Sequence, residues 1–183
     1  MPEVRTFRTF DAPPSVLADA RRVCDLAFAG DPDGEFGDDD WDHALGGWHA
    51  VVLDDDGAVL THASVVARTL HVAGTPFRTG YVEGVATRPG RHGEGLGSMA
   101  MIEIGQVIRR DFELGALGTG RFSFYERMGW ERWQGPTLVR GPDGVEARSP
   151  DDDGYVLVLR FGPSADLDRR RPIACEARAG DDW

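Results

Sequence analysis

Two groupings of residues in this chain have types and spacings that suit chemistry. Gly93, Gly95 and Gly97 fall within five residues, directly ahead of a helical pattern. A helix N-terminus carries unpaired backbone N–H groups and about half a positive charge, and glycines there let an anionic group approach with no Cβ in the way. The segment is an anion cradle. Upstream, Glu83 stands beside Gly84 in an otherwise apolar strand. A glycine inside a strand suggests a bulge, which splays the strand and leaves backbone donors unpaired for a ligand. An acid there is costly unless it is solvated or used, so Glu83 is a candidate general base, acting directly or through a water. The plainer alternatives are a tight turn with a helix cap for the glycines and a surface carboxylate on an edge strand for Glu83.

The elements that must position these groups follow from periodicity and turn chemistry. Leu96, Ala100, Ile104, Val107, Ile108 and Phe112 recur at steps of three and four, which predicts a helix over about 95–112. Ahead of it, a first strand is predicted at 4–10 and a helix from Pro13-Pro14-Ser15, with Ser15 as N-cap, to about 28. Residues 29–40 read as a loop, and 41–45 as a short helix ended by Gly46-Gly47. Residues 48–53 and 58–72 flank the Asp-Gly turn at 54–57 as a hairpin, and a turn at 73–76 leads into the strand that Gly84 interrupts. Beyond the long helix come a strand at 114–117, a helix at 121–128, and strands near 130–133, 138–140 and 155–160.

Composition bounds the reading further. At 183 residues with 41% hydrophobic, one domain can bury an adequate core. No apolar run is long enough for a membrane helix and no signal-peptide core is present, so a cytoplasmic location is expected. Cys24 and Cys175 read as reduced structural thiols, and the five histidines form no metal-ligand pattern, so no metal is expected. The formal net charge of −11 disfavours nucleic acid and anionic membranes and favours cationic small molecules. Seven acids between 31 and 42, Asp33 and Glu35 among them, crowd a stretch from 23 to 67 that holds no Lys or Arg.

Spacing also narrows what the cradle holds. A P-loop needs a lysine, and this chain has none. A dinucleotide fingerprint needs Gly-x-Gly-x-x-Gly, a period that Gly93-Glu94-Gly95-Leu96-Gly97 lacks. His92-Gly93-Glu94-Gly95-Leu96-Gly97 instead resembles the acyl-CoA pyrophosphate loop of the GNAT acetyltransferases, in which an Arg or Gln stands where His92 is. The predicted order β, α, βββ, α, β, α, ββ is also that of GNAT domains. The resemblance implies an α/β fold with a mixed central sheet, a splayed bulge and helices on both faces, over residues 1–183 as a single domain. It implies acetyl-CoA as co-substrate, held by Val85, Arg91, His92, Gly93, Gly95, Leu96, Gly97 and Ser98, with Arg88 and Arg91 supplying the charge that His92 does not. It further implies the Val85 N–H as donor to the thioester carbonyl, and Tyr125, ahead of Gly129-Trp130, as general acid.

Four segments make the resemblance narrower. Tyr81-Val82-Glu83-Gly84-Val85-Ala86, Asp40-Trp41-Asp42-His43-Ala44-Leu45-Gly46-Gly47, Pro150-Asp151-Asp152-Asp153-Gly154 and Arg178-Ala179-Gly180-Asp181-Asp182-Trp183 are similar to the aminoglycoside 2'-N-acetyltransferases of actinobacteria. That family is homodimeric and acetylates the 2'-amine of gentamicin-, tobramycin- and kanamycin-type antibiotics. The substrate residues it implies are Asp40, Asp152, Asp181 and the main-chain carboxylate of Trp183, with Glu83 and Gly84 at the reacting amine and Asp31 and Asp153 as looser candidates. A flexible polycation does need carboxylates spread along a groove, each accepting a charge-assisted hydrogen bond. The acidic stretch at 31–40 is longer than in the mycobacterial members and the 117–121 segment shorter. Both differences bear on regiochemistry more than on reaction class. The alternatives are a GNAT enzyme for another cationic amine, such as a polyamine or cell-wall precursor, and a non-catalytic module that holds acyl-CoA or sequesters a cationic antibiotic.

Overall fold

Turn chemistry sets the first hairpin. Strands β2 (Trp48–Leu53) and β3 (Val59–Val72) flank a turn in which Asp54 Oδ1 accepts from the backbone N–H groups of Asp56 and Ala58 and Gly57 takes a φ of +84°. The computed structural model describes residues 2–31 and 34–183, so Asp33 of the acidic stretch lies outside the described residues. Packing divides the chain into two units, Met1–Val66 with Val82–Val107 and Ala67–Tyr81 with Ile108–Trp183. Strands β3 and β4 (Thr75–Thr87) contribute residues to both.

In the first unit β1 (Glu3–Arg8) pairs antiparallel with β2, and β2 with β3. Helix α1 (Pro14–Ala27) turns Ala20, Val23 and Cys24 inward against Trp41 and Ala44 of α2 (Asp38–Ala44) and against Val51, Leu53, Val59 and Ala86. The expected Ser15 cap is corrected: the helix starts at Pro14, with Pro13 as N-cap and no side-chain cap bond. A proline at the first helical position brings its own fixed φ and no orphan N–H. Helix α2 begins three residues earlier than expected, because Asp38, Asp39 and Asp40 sit favourably in a first turn and Asp40 Oδ2 accepts from Gly37 N at 2.7 Å. Most of α3 (Leu96–Asp111) belongs to this unit, and of its predicted apolar stripe all but the half-buried Phe112 are buried.

The second unit holds β5 (Leu114–Gly118), α4 (Phe122–Glu126), β6 (Glu131–Arg132), β7 (Thr137–Arg140), β8 (Glu146–Arg148), β9 (Val156–Arg160) and β10 (Ile173–Glu176). The strand order is β6-β9-β5-β4-β3-β10-β7-β8. The sheet is mixed, since β4 runs parallel to β5 and β10 parallel to β7 while the other registered pairs are antiparallel. Strands β8 and β10 were not expected, and α4 is shorter than predicted. Both cysteines are free and buried, and burial pushes each thiol up to about 12, so neither is a nucleophile.

Candidate active site

In the first unit the glycine loop runs straight into α3. Gly93 and Gly95 take φ values of +84° and +79°, and a Cβ built on either would meet nothing within 4 Å. The loop therefore keeps an open face ahead of a 16-residue helix, while buried Leu96 fixes the helix start. An acyl-CoA pyrophosphate fits such a cradle of backbone donors. Arg91 stays on the loop and is gripped by Glu94 at 2.6 and 2.8 Å, both side chains part-exposed, with exposed His92 between them. Arg88 corrects the sequence reading. Its guanidinium turns inward to donate to the Val59 carbonyl at 3.2 and 3.0 Å and lies 3.7 Å from Asp19, so it serves the hairpin rather than an anion.

The break in β4 lies in the same unit. Residues 79–82 and Ala86 are buried, yet Glu83, Gly84 and Val85 are half-exposed, so the strand opens at these three residues. Gly84 has a φ of +56°. Ser64 Oγ donates to the Glu83 carbonyl at 3.1 Å, and His62 Nδ1 donates to the Gly84 carbonyl at 2.7 Å. In a regular strand successive carbonyls point to opposite sides. Here two successive carbonyls are both taken by side chains of one face of β3, which is the expected bulge. Because a trans peptide is planar, the Val85 N–H points away from the Gly84 carbonyl and so away from His62. Also in this unit are half-buried Asp31, whose backbone closes turns with Phe28 and Gly34, and Asp40, with one oxygen engaged at the α2 cap.

The second unit carries the other predicted residues. Tyr125 is buried on α4, edge-on to Phe124 at 4.8 Å and Trp130 at 6.3 Å between centroids, and its carbonyl accepts from Met128 and Trp130. Burial raises its hydroxyl well above the ordinary tyrosine value, so it remains protonated. Asp152 is half-buried; burial chiefly, with Asp181, Asp151 and Asp182 as like-charged neighbours, raises its carboxyl above the usual range. Asp153 differs from Asp152. Its oxygens accept from both Arg148 guanidinium nitrogens at 3.0 and 2.6 Å and from Thr137, and these bonds hold it well below the usual carboxylate range. It ties β7 and β8 to the turn that follows them, so its carboxylate is already engaged within the fold. The segment after β10 is ordered by its own bonds: Arg178 donates from N to Asp182 and from Nε to the Asp181 carbonyl, and Trp183 N donates to Asp181. The Trp183 indole is buried and donates to Ser149 Oγ at 3.1 Å, and its main-chain carbonyl lies beside Gly118, where an added Cβ would come within 3.7 Å of the oxygen. Asp181 is exposed.

The sequence reading missed His62, its partner His49, and Ser64. Among the described residues no group of three or more His, Cys, Asp or Glu could hold a metal, and no helix is long and apolar enough to cross a membrane.

A strand opened beside a carboxylate, with a glycine cradle at the start of the next helix, agrees with what family comparison finds. The model of the acetyltransferase (GNAT) domain matches residues 12–133, and the chain belongs to the GNAT acetyltransferases. Over 98% of its length, and 91% of the relative's, it is 43% identical to an aminoglycoside 2'-N-acetyltransferase from Mycolicibacterium fortuitum. Among solved structures it has the fold of a GNAT family acetyltransferase from Brucella melitensis in complex with acetyl-CoA, with a TM-score of 0.63, 22% identity and 90% of each chain covered. A GNAT family N-acetyltransferase from Escherichia coli in complex with CoA gives a TM-score of 0.67 at 16% identity, covering 95% of this chain and 89% of that one.

Proposed function

We propose that this protein transfers the acetyl group of acetyl-CoA to the 2'-amine of aminoglycoside antibiotics by direct attack, with no covalent enzyme intermediate. The observation that carries the reaction is the opening of β4, where a carboxylate and a redirected backbone N–H share three half-exposed residues. The 2'-N-acetyltransferase relative supports the substrate. Glu83 takes a proton from the ammonium, the Val85 N–H donates to the carbonyl oxygen as it gains charge, and Tyr125 gives a proton to the departing sulfur. Asp40, Asp152 and Asp181 receive the antibiotic's ammonium groups, with Asp31 as a further acid. The reading takes residues 1–183 as one GNAT domain, acting in the cytoplasm as a homodimer like the family its segments resemble.

The test is release of CoA thiol from acetyl-CoA with tobramycin, which has a 2'-amine, against amikacin, which has a 2'-hydroxyl. Release with the first alone supports the reading; release with both keeps the reaction and rejects the regiochemistry; silence with both rejects the substrate class.

The Arg91–Glu94 pair gives a further expectation. Arg91→Ala raises the acetyl-CoA KM about tenfold by removing a charge-assisted contact to phosphate, and Glu94→Gln, which frees that guanidinium, lowers it. Steady-state kinetics at fixed tobramycin checks both; an unchanged KM in both variants removes Arg91 from the phosphate grip.

Asp152 is expected to show opposed effects on stability and binding. A carboxyl whose folded value is raised favours its neutral form, and the stability this brings is lost as pH rises through that value, so at neutral pH the charge is unfavourable in the free protein. Asp152→Asn should raise the melting temperature by roughly 1–2 °C while raising the tobramycin KM about tenfold. A variant that loses stability at neutral pH contradicts the electrostatic account.

A further inference from the structure

Beneath the β4 break lies a line of hydrogen bonds, buried at its two histidines, that the proposed reaction does not use directly. A carbonyl only accepts, so at the 2.7 Å contact with Gly84 O the hydrogen is on His62 Nδ1. Neutral His62 then has an acceptor at Nε2, to which His49 Nδ1 donates across 2.9 Å. His49 Nε2 in turn accepts from the Thr9 hydroxyl at 2.8 Å, and Thr9 Oγ1 accepts from Gly46 N at 2.9 Å. The hydroxyl's other acceptor, the Gly47 carbonyl, is farther at 3.3 Å, and choosing it would leave a buried imidazole nitrogen without its donor. Every proton is thereby placed, and the bonds run one way, from Gly46 through Thr9, His49 and His62 to Gly84. Burial lowers His49 to about 4 and His62 to about 3, so both rings stay neutral at working pH. Cys24 adds a weak second donor, its sulfur 3.6 Å from the Gly84 oxygen.

The terminus of this line matters because the Gly84 carbonyl and the Val85 N–H are two ends of one peptide group. A donor on the carbonyl fixes the plane of that group and draws electron density from its nitrogen. Hydrogen bonds in series strengthen one another by about 10–30% per bond. Glycine suits the contact through its backbone: the φ of +56° disfavours a side chain, although an added Cβ would make only ordinary contacts, 3.4 Å from His62 Cε1 and Nδ1 and 3.6 Å from Ala44 Cβ.

We infer that His62, backed by His49 and Thr9, is a positioning residue for acyl transfer: its Nδ1–H holds the Gly84–Val85 peptide so that the Val85 N–H faces the opening and polarises it as an oxyanion donor. The inference rests on the role proposed above for Val85.

Three measurements test it. In the ligand-free protein, nitrogen NMR with labelled histidine should find Nδ1–H tautomers at His62 and His49, unchanged across neutral and mildly alkaline pH; an Nε2–H tautomer at His62 overturns the inference even if no variant folds. The carbonyl stretch of bound, isotopically labelled acetyl-CoA should lie below that of the free thioester, and part of that shift should vanish in His62→Leu. A wild-type protein with no shift refutes the Val85 reading, whereas a shift fully retained in His62→Leu refutes the role of His62 alone. In kinetics, His62→Leu should lower kcat about tenfold, less than the roughly 10²–10³ that losing a whole oxyanion donor costs, with acetyl-CoA KM within about twofold. His62→Asn, whose amide nitrogen replaces Nδ1, should recover most of the loss; equal losses in the two variants indicate packing and overturn the inference.

Discussion

Replacing Glu83 by Gln is expected to lower kcat/KM for tobramycin about 100-fold near neutral pH, within the range that a positioned base contributes. The loss should shrink as the pH rises. An aminoglycoside amine is an ammonium at neutral pH and below, and it cannot attack until a proton leaves; in alkaline solution the solvent has already removed that proton and the carboxylate has little left to do. Gln keeps the shape of Glu, and the Glu83 backbone is held independently by Ser64 Oγ on its carbonyl, so the strand opening should persist. The effect should fall on the chemical step, leaving the acetyl-CoA KM near that of the wild type, because the glycine loop and Arg91 do not depend on this side chain. Two pH profiles that run parallel, wild type above variant, would remove Glu83 from the role of base and leave it as one more acid for a cation.

Much of this architecture is legible because it is written locally. The stripe of α3 follows from spacing, the β2–β3 turn from Asp54 and Gly57, and the break in β4 from a single glycine beside an acid. What is illegible depends on register and on distant partners. In the β2–β3 hairpin Leu53 pairs with Val59 but Val52 with Thr61, so one extra residue enters β3. Without that shift His49 would oppose Ala63 and His62 would lie on the other face; with it His49 opposes Ser64, and His49 and His62 become diagonal neighbours on one face. No composition or motif announces a one-residue slip. Strand β10 was missed because four residues after a run of arginines and a proline become a strand only between β7 and β3, partners remote in sequence. The charges show the same limit. Arg88 and Arg91 read alike in sequence, as do Asp152 and Asp153, yet Arg88 is engaged in holding the fold by Val59 and Asp153 by Thr137, partners on strands that the sequence does not bring near.

Tyr125→Phe is the second substitution expected to have a large effect, lowering kcat about 100-fold near neutral pH with acetyl-CoA affinity almost unchanged. Phe preserves the edge-on packing against Phe124 and Trp130, and it removes only the hydroxyl. That hydroxyl has a proton to give: burial raises it above the ordinary tyrosine value, so it is protonated throughout the working range and returns to that state after each turnover, although the same shift makes it a weaker acid. Its service is to the departing sulfur. A thiolate is a poor product at a pH well below the ordinary thiol value of about 8.5, so the acid matters most there, and above that value the sulfur can leave unprotonated. The variant's deficit should therefore narrow at alkaline pH, as for Glu83→Gln but for the opposite proton. The two can be separated by the leaving group. An acetyl thioester of a more acidic thiol should rescue Tyr125→Phe and leave Glu83→Gln as slow as before, whereas equal rescue of both variants would mean that Tyr125 acts only by packing.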